Sequence, residues 1–241
     1  DPIDAASVAG TNALTAVKIT TLPGAGTLQD NGVNVTAGQF VSLADINSGK
    51  LVFTPAANAN GAGYAAFTFQ VQDDGGTANS GVDLDATPRT MTVDVTSVND
   101  APAGTNNTVT TLEDTAYTFT AADFGFTDPT DAASAAGANV LIAVKITALP
   151  GAGALKNNGV SVTVGQFVSL ADINSGKLVF TPVANANGAG YASFTFQVQD
   201  DGGTANGGVN LDTSARTMTV NVTSVNDAPV GTNNTVTTLE D

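Results

Sequence analysis

The chain contains no cysteine, no histidine and no tryptophan. Without cysteine there is no disulfide, no thiolate zinc site and no cysteine nucleophile, and without histidine no Ser-His or Cys-His catalytic pair can form. The absence of tryptophan and a count of only three tyrosines leave few flat aromatic surfaces for stacking a sugar ring. These absences exclude several common catalytic sites and weigh against a glycan-binding surface.

Basic residues and long apolar runs are also scarce. Seven lysines and arginines stand against 22 acidic residues, which gives a net charge of −15. Such a chain repels nucleic acid and anionic membranes and attracts divalent cations. No apolar run approaches the roughly 20 residues of a membrane helix, and Asp1 does not open a signal peptide. We therefore expect cations as partners, no nucleic acid, no membrane span, and a segment internal to a longer protein.

The sequence repeats itself with a period of 127 residues. Pro23 recurs as Pro150 and Tyr64 as Tyr191, without a gap between the copies. A near-identical repeat of this length indicates one unit copied in tandem rather than two unrelated domains. A chain of 241 residues then holds about two domains, each long enough to bury a core.

Apolar residues alternate with period two along most of the chain. In "ASFTFQVQ", which begins at Ala192, phenylalanines and a valine fall on one face and polar residues on the other. Similar runs begin at Thr115, Leu141, Val160, Lys177 and Arg216. Alternation rich in threonine and valine predicts half-buried strands. About seven strands per unit with glycine-rich connections favour an all-β fold of tandem Greek-key antiparallel β-sandwiches.

Local signals predict three further features. The Asn158–Gly159 pair is typical of a tight hairpin, and "SLADINSG" is the one stretch that favours a helical turn. We expect the phenylalanines of the first copy to lie in its core; these are Phe40, Phe53, Phe67 and Phe69.

The motif "SVNDAP" follows the last strand of each copy and marks the boundaries, because its proline ends a strand and stiffens the exit. The predicted organisation is a β-sandwich repeat lacking its first two strands at 1–98, a linker at 99–102, a complete repeat at 103–225, and a linker with the first strand of a following repeat at 226–241.

The last eleven residues, "GTNNTVTTLED" at 231–241, repeat residues 104–114. They correspond to the first strand of a unit, whereas Asp1 corresponds to a position after the second strand. The first unit should therefore expose sheet edge, which a neighbour can fill by strand addition. The tail of an identical chain can supply the first strand but not the second, so we favour a longer array over a self-complementing protomer.

The motifs "FTDPTD", "GKLVFTPVANANGAGYASFTFQVQDDGG" and "VTSVNDAP" resemble the cadherin-like, Ig-like repeats of very large secreted bacterial adhesins, over essentially the whole chain. The resemblance implies Ca²⁺ at domain junctions, an extracellular or cell-surface location, neighbouring repeats as partners and no catalysis. The neutral "ANANGAGYA" replaces the acidic motif of animal cadherins, which lowers the expectation to one or two ions per junction.

The residues themselves also indicate calcium. In a Greek-key sandwich two acidic connections lie at one end, the end that meets the incoming linker. Calcium takes six to eight oxygen ligands, which carboxylates, an amide and backbone carbonyls can supply. The candidate ligands of this end are Asn99, Asp100, Asp128, Asp131, Asp200 and Asp201.

Two further sets of candidate ligands follow from the repeat. At the opposite end, Glu113 should approach the outgoing linker with Asn226 and Asp227. In the first copy, the residues equivalent to the acidic connections are Asp1, Asp4, Asp73 and Asp74.

Three classes of function remain after this reading. The first is a calcium-stiffened spacer of an extracellular bacterial adhesin or filament. The second is a module that binds a glycan, a cell-surface ligand or another copy of itself, with polymerisation by strand exchange. The third, a hydrolase with paired carboxylates, is disfavoured because Asp200 and Asp201 are adjacent and would face opposite sides of a strand.

Overall fold

The computed structural model describes residues 10–241, which form two compact units. The first unit groups the chain up to Val98 with Thr130–Ala138, and the second groups Asn99–Pro129 with Asn139–Asp241. Both units consist mainly of strands in antiparallel sheets, which confirms an all-β fold. Among the helices of residues 10–241, none has the length and apolar character that a membrane crossing requires.

The described part of the first unit has two sheets connected by short turns. One sheet has the strand order β4-β1-β6-β7 and the other β3-β2-β5. The helix α1 (Leu43–Asn47) follows β4, and a 3₁₀ turn covers Ala78–Ser80. The strands are β1 (Leu14–Thr21), β2 (Thr27–Asp30), β3 (Val33–Asn34), β4 (Phe40–Ser42), β5 (Leu51–Thr54), β6 (Gly61–Asp73) and β7 (Arg89–Val95).

The second unit repeats this plan and adds one strand to each sheet. Its strands are β8 (Asn107–Leu112), β9 (Tyr117–Thr118), β10 (Leu141–Ala148), β11 (Ala154–Asn157), β12 (Val160–Ser161), β13 (Phe167–Ser169), β14 (Leu178–Thr181), β15 (Gly188–Asp200) and β16 (Arg216–Thr223). The strand orders are β13-β10-β15-β16-β8 and β12-β11-β14-β9, and β8 runs parallel to β16. The helix α2 covers Leu170–Asn174, and 3₁₀ turns cover Ala121–Phe124 and Ala205–Gly207. A further 3₁₀ turn, Asp131–Ala133, lies in the segment that groups with the first unit.

The core of the second unit lies between its two sheets. Phe194 and Val220 point inward from one sheet, and Leu155 and Phe180 from the other; all four are buried in one cluster. The period-two alternation explains this, because every second side chain of a strand faces the same side. Each unit is thus a β-sandwich-like body whose loops gather at its two ends.

Side chains on the last strand of the larger sheet are more exposed in the first unit than in the second. Met218 on β16 is fully buried, whereas its counterpart Met91 on β7 is 46% exposed. The reason is β8, whose residues from Asn107 pair with β16 from Met218 onward. In the described part of the chain β7 is the last strand of its sheet and pairs only with β6. The outer side of β7 is therefore an open sheet edge.

The local turn predictions are confirmed. Asn158 and Gly159 both have positive φ, 51° and 79°, and connect β11 to β12, as a two-residue hairpin requires. The predicted helical turn is α2, capped by Ser169, whose Oγ accepts from the N–H of Asp172 at 3.1 Å.

Two predicted strands are shorter than expected, and one predicted core residue is exposed. The run from Val160 splits into β12 and β13, because Thr163 donates its N–H to the side chain of Gln166 at 3.0 Å and turns the chain. The run from Thr115 gives only β9 before a 3₁₀ turn begins. Phe40 was predicted to lie in the core, but it is exposed, with Lys18 Nζ 5.6 Å from the centre of its ring.

Candidate functional site

Polar side chains gather at the end of the second unit where the linker enters. Asp200 is the last residue of β15 and pairs with Leu141 near the start of β10, so the loops beside these strand ends lie at one edge. Asn139 and Asp128 precede β10, and Asp201 follows β15. We call Asn99, Asp128, Asn139, Asp200 and Asp201 the entry pole.

Asn99 attaches the linker to this pole. Its Nδ2 donates to Asp200 Oδ1 at 3.2 Å and to the carbonyl oxygens of Gly203 at 3.2 Å and Val209 at 2.7 Å. Its backbone carbonyl accepts from the N–H of Val209 at 2.9 Å, and its Oδ1 accepts from Asn139 Nδ2. The side chain lies so close to Gly202 that a Cβ there would collide with it. The linker is thus part of the pole.

The three carboxylates of the pole are held in different ways. Asp200 is fully buried, and its Oδ1 accepts from the N–H of Gly202 at 2.9 Å. Asp201 Oδ1 accepts from the N–H of Val140, and Asp128 Oδ2 from the N–H of Asn139, both at 2.8 Å.

Asp128 has one oxygen whose surroundings suit a cation. The residue is 7% exposed, yet its Oδ1 is buried without a hydrogen-bond partner. An unpaired buried carboxylate oxygen is costly, and a metal ion removes that cost. Carboxylate, amide and backbone oxygens are the ligands that calcium prefers, so Asp128 Oδ1 is a candidate calcium ligand. Within residues 10–241, however, no three acidic side chains converge closely enough to form a metal cluster by themselves.

The two other predicted ligands of this end have separate positions. Asp100 lies in the linker next to Asn99 and is partly buried. Asp131 is buried at the start of the 3₁₀ turn Asp131–Ala133, within the segment that groups with the first unit. The entry pole is therefore defined by residues of the second unit without Asp131.

The opposite end of the second unit is organised around Glu113. This side chain is only 5% exposed. Its Oε2 accepts from Asn187 Nδ2 at 2.8 Å, its Oε1 accepts from the N–H of Val225, and its own N–H donates to Thr223 at 2.9 Å. Glu113 thus connects the end of β8 to the end of β16 at the point where the chain leaves the unit. We call Glu113, Asp114, Asn185, Asn187 and Asp227 the exit pole.

Asn185 brings two carboxylates of the exit pole together. Its N–H donates to Asp114 Oδ1 at 2.9 Å. Its side-chain amide faces Asp114 and Asp227, and with the nitrogen turned toward them it donates to both, at 3.3 and 3.2 Å. Asn226 is exposed and donates its side-chain N–H to the carbonyl of Asp227 at 3.2 Å.

The first unit repeats the loop contacts of the entry pole. Asp73 Oδ1 accepts from the N–H of Gly75 at 2.9 Å, and Asp74 Oδ1 accepts from the N–H of Ala13 at 2.8 Å. Both contacts match those of Asp200 and Asp201. The remaining two predicted ligands, Asp1 and Asp4, lie outside the described residues.

Asp212 is a buried carboxylate that the sequence reasoning missed. It accepts from the N–H groups of Gly104 at 2.8 Å and Ser214 at 2.9 Å, and from Arg216 Nε at 2.8 Å. Burial acts to raise the pKa of this carboxyl, but the hydrogen bonds from Arg216, Gly104 and Ser214 outweigh burial and lower the pKa. Asp212 thus fixes the segment that precedes β8. The signal was the spacing of Asp212 and Arg216 by four residues.

Asn139, Asn185 and Asn187 were also missed. Each is an asparagine in a glycine- and alanine-rich loop, where this residue is usually a turn former.

A comparison of the chain with protein-family models, with curated proteins and with solved structures found no match.

Proposed function

We propose that this chain is a structural repeat segment of an extracellular bacterial adhesin or filament, in which calcium-stiffened sandwiches act as spacers. The observation that carries the proposal is the entry pole, where the linker residue Asn99 is hydrogen-bonded among acidic side chains and Asp128 keeps a buried oxygen without a partner. A tandem repeat with ion-dependent junctions is suited to setting a distance, which is a mechanical rather than a chemical task.

The strand order supports a Greek-key sandwich of the cadherin-like, Ig-like kind. The first strand, β8, lies beside the last, β16, and runs parallel to it. The second strand, β9, pairs with β14 in the other sheet. An exchange of sheets between the first two strands, with antiparallel pairing elsewhere, is compatible with that topology.

Calcium at the entry pole would bind Asp128 and draw Asp200 and Asp201 toward it, since the three carboxylates do not converge on one point by themselves; amide or backbone oxygens would complete its shell. The ion would supply positive charge where carboxylates otherwise repel each other. Since Asn99 donates to Asp200, an ion on Asp200 also fixes the start of the linker. An ion that binds only the ordered linker stabilises that order by mass action.

The exit pole provides the matching end of the spacer. Glu113 binds the backbone of Val225, and Asn185 lies against Asp114 and Asp227. A repeat with acidic oxygens at both ends can be joined to another through the same type of ion. This arrangement would let the array lengthen without new chemistry at each junction.

Calcium binding tests the proposal directly. Titration calorimetry of the 241-residue chain with Ca²⁺ should show binding with dissociation constants on the order of 10⁻⁴ to 10⁻³ M, as in extracellular modules. The variant Asp128→Asn should raise the dissociation constant of the entry-pole site at least tenfold, because it replaces the carboxylate that carries the unpaired oxygen with a neutral amide.

A matched control is available within the chain. Asp94 Oδ1 accepts from the N–H of Gly63 at 2.6 Å, and its counterpart Asn221 accepts from the N–H of Gly190 at 2.7 Å. Asp94→Asn therefore removes the same charge while keeping a hydrogen bond that the other repeat already makes. If D94N and D128N weaken calcium binding equally, binding reflects net charge and the entry pole is not a site.

Small-angle scattering then tests the spacer role. We expect the distribution of dimensions to narrow in Ca²⁺ and to broaden in EDTA, because the ion limits the freedom of the linker. If the scattering profiles in Ca²⁺ and in EDTA coincide although the chain binds calcium, stiffening is ruled out as its function.

A further inference from the structure

We infer that Asn139 is the positioning residue that couples a cation on Asp128 to the docking of the linker, through a hydrogen bond from its side chain to Asn99. The inference rests on the proposed function, because it describes how the same entry pole controls the order of the linker. It also assigns Asn99 to the contacts of the linker and not to the ligands of the ion.

Asn139 is attached to the candidate cation ligand through its backbone. Its N–H donates to Asp128 Oδ2 at 2.8 Å, while Asp128 Oδ1 is the buried oxygen without a partner. The next residue, Val140, donates its N–H to Asp201 Oδ1 at 2.8 Å and accepts from the N–H of Asp201 at 3.2 Å. Residues 139 and 140 are therefore each bonded to a carboxylate of the pole, so that a movement of either carboxylate is passed to this backbone segment.

The side chain of Asn139 extends this connection to the linker. Its Nδ2 donates to Asn99 Oδ1. The Nδ2 of Asn99 in turn donates to Asp200 Oδ1 at 3.2 Å and to the carbonyl oxygen of Val209 at 2.7 Å. Consecutive hydrogen bonds thus join the carboxylate with the unpaired oxygen to the start of the linker. We call Asp128, Asn139, Asn99 and Asp200 the amide relay.

The orientation of the Asn99 amide is fixed by its surroundings. Its nitrogen faces three oxygens, which belong to Asp200, Gly203 and Val209. If the amide turned over, its own oxygen would face these three acceptors and the hydrogen bonds to them would be lost. Asn99 Oδ1 therefore points to Asn139, where a donor is needed, and the Nδ2 of Asn139 provides it.

Gly202 leaves the space in which the two amides of the relay meet. A Cβ at this position would collide with both Asn99 Oδ1 and Asn139 Nδ2. In the first unit, a Cβ at Gly75 would collide in the same way with Asn12, which is the counterpart of Asn139. The close approach of a glycine to this asparagine is therefore a feature of both units.

The relay connects the position of one carboxylate to the order of a separate segment. When Asp128 is fixed by a cation, its Oδ2 fixes the N–H of Asn139, and the side chain of Asn139 is then held within reach of Asn99. Removal of this side chain separates cation binding from linker docking but leaves the backbone bond to Asp128 in place. Because coupling between two sites is reciprocal, docking of the linker strengthens cation binding by the same factor by which the cation strengthens docking.

A double-mutant cycle on the 241-residue chain tests the relay. Titration calorimetry with Ca²⁺ gives the dissociation constant of the binding that Asp128→Asn weakens. Asn99→Ala and Asn139→Ala should each raise this constant at least threefold. The double variant should raise it no further than the larger single effect, because both changes break the same connection. Effects that multiply in the double variant would overturn the relay, since Asn99 would then act on the ion independently of Asn139. Single variants that leave the constant unchanged would overturn it as well.

Hydrogen exchange measures the docking of the linker itself. The N–H of Val209 donates to the backbone carbonyl of Asn99 at 2.9 Å, so its exchange reports the undocking of the linker. In the parent chain, saturating Ca²⁺ should slow this exchange about tenfold or more relative to EDTA, which is within the usual range of coupling. In Asn139→Ala the slowing should fall below about threefold at a saturating calcium concentration. Undiminished slowing in this variant would contradict the role of Asn139.

Two further variants separate the relay from charge and from general destabilisation. Asn139→Asp adds negative charge to the pole but presents an oxygen to Asn99 Oδ1 in place of a donor, so the effect of calcium on Val209 should be lost in spite of the added charge. Asn12→Ala makes the matched change in the first unit and should leave the exchange of Val209 as it is in the parent chain. Undiminished slowing in the aspartate variant, or equal loss in Asn12→Ala, would overturn the relay.

The calorimetric cycle also separates the two proposals. If the parent chain shows no calcium binding that depends on Asp128, the proposed function and this inference fail together. If the chain binds calcium through Asp128 but the effects of Asn99→Ala and Asn139→Ala multiply, the proposed function stands and the relay alone is wrong.

Discussion

Met218 and Met91 allow the stability contribution of one side chain to be compared between a buried and a half-exposed position. The two methionines lie at equivalent positions of β16 and β7, but Met218 is fully buried and Met91 is 46% exposed. Substitution of a buried methionine by alanine costs about 2–5 kcal/mol, because the transfer energy is lost and a cavity remains. Met91 buries about half of its surface, so M91A should cost only about half of the roughly 1.5–3 kcal/mol of full burial, with little cavity.

Hydrogen exchange followed by mass spectrometry can measure both effects in the intact chain. Peptides from the two strands are distinguishable, because β16 has Asn221 where β7 has Asp94. At low protein concentration, M218A should accelerate exchange in β16 by about 30-fold to several thousand-fold, since 1.4 kcal/mol corresponds to tenfold. M91A should accelerate exchange in β7 by about tenfold at most. Equal effects of the two variants would refute the argument that β8 provides the difference in cover.

Two further predictions follow from the linker contacts. Asp212→Ala should destabilise the second unit by about 3 kcal/mol, because it leaves Arg216 and two N–H groups without their acceptor. The pKa of Asp212 is lowered in the folded state, so its contribution to stability is complete above the unfolded pKa of about 4 and is lost as pH falls through the folded pKa. The free energy of unfolding should therefore fall less steeply with acid in D212A than in the parent chain. An unchanged pH dependence would contradict this role. Gly202→Ala should displace Asn99 and accelerate proteolytic cleavage of the linker, and Asn99→Ala should do the same. If the double variant is cleaved much faster than either single variant, the two residues do not act through one contact.

The strands could be predicted from the sequence where alternation was long and regular. The runs that became β15 and β16 alternate over seven or more residues, and periodicity alone places their inward faces. The run from Val160 failed because a side-chain contact of Gln166 turns the chain within it, and this contact leaves no trace in the apolar pattern. Side-chain competition with the backbone is thus the physical limit of that prediction.

The acidic part of the candidate site was predictable, but its amides were not. Asp128 lies in the loop before β10 and Asp200 at the end of β15, positions that a Greek-key prediction places at one end. Asn139 and Asn185 became visible only when strand register fixed which loop faces which carboxylate. Asn99 was expected as an ion ligand, yet the structure shows its amide donating to three oxygens. An amide can donate or accept, and sequence does not reveal which role it takes.

The parallel pairing of β8 with β16 determines how the second unit responds to tension. The chain enters through β8 and leaves through β16, and six residues of each strand are paired in register. Because the two strands run in the same direction, pulling on the entering and leaving chain slides one strand along the other. All rungs of the ladder are then loaded in shear at the same moment, whereas a hairpin opens one rung at a time. The same pairing that covers Met218 therefore places a ladder loaded in shear between the points where the chain enters and leaves the unit.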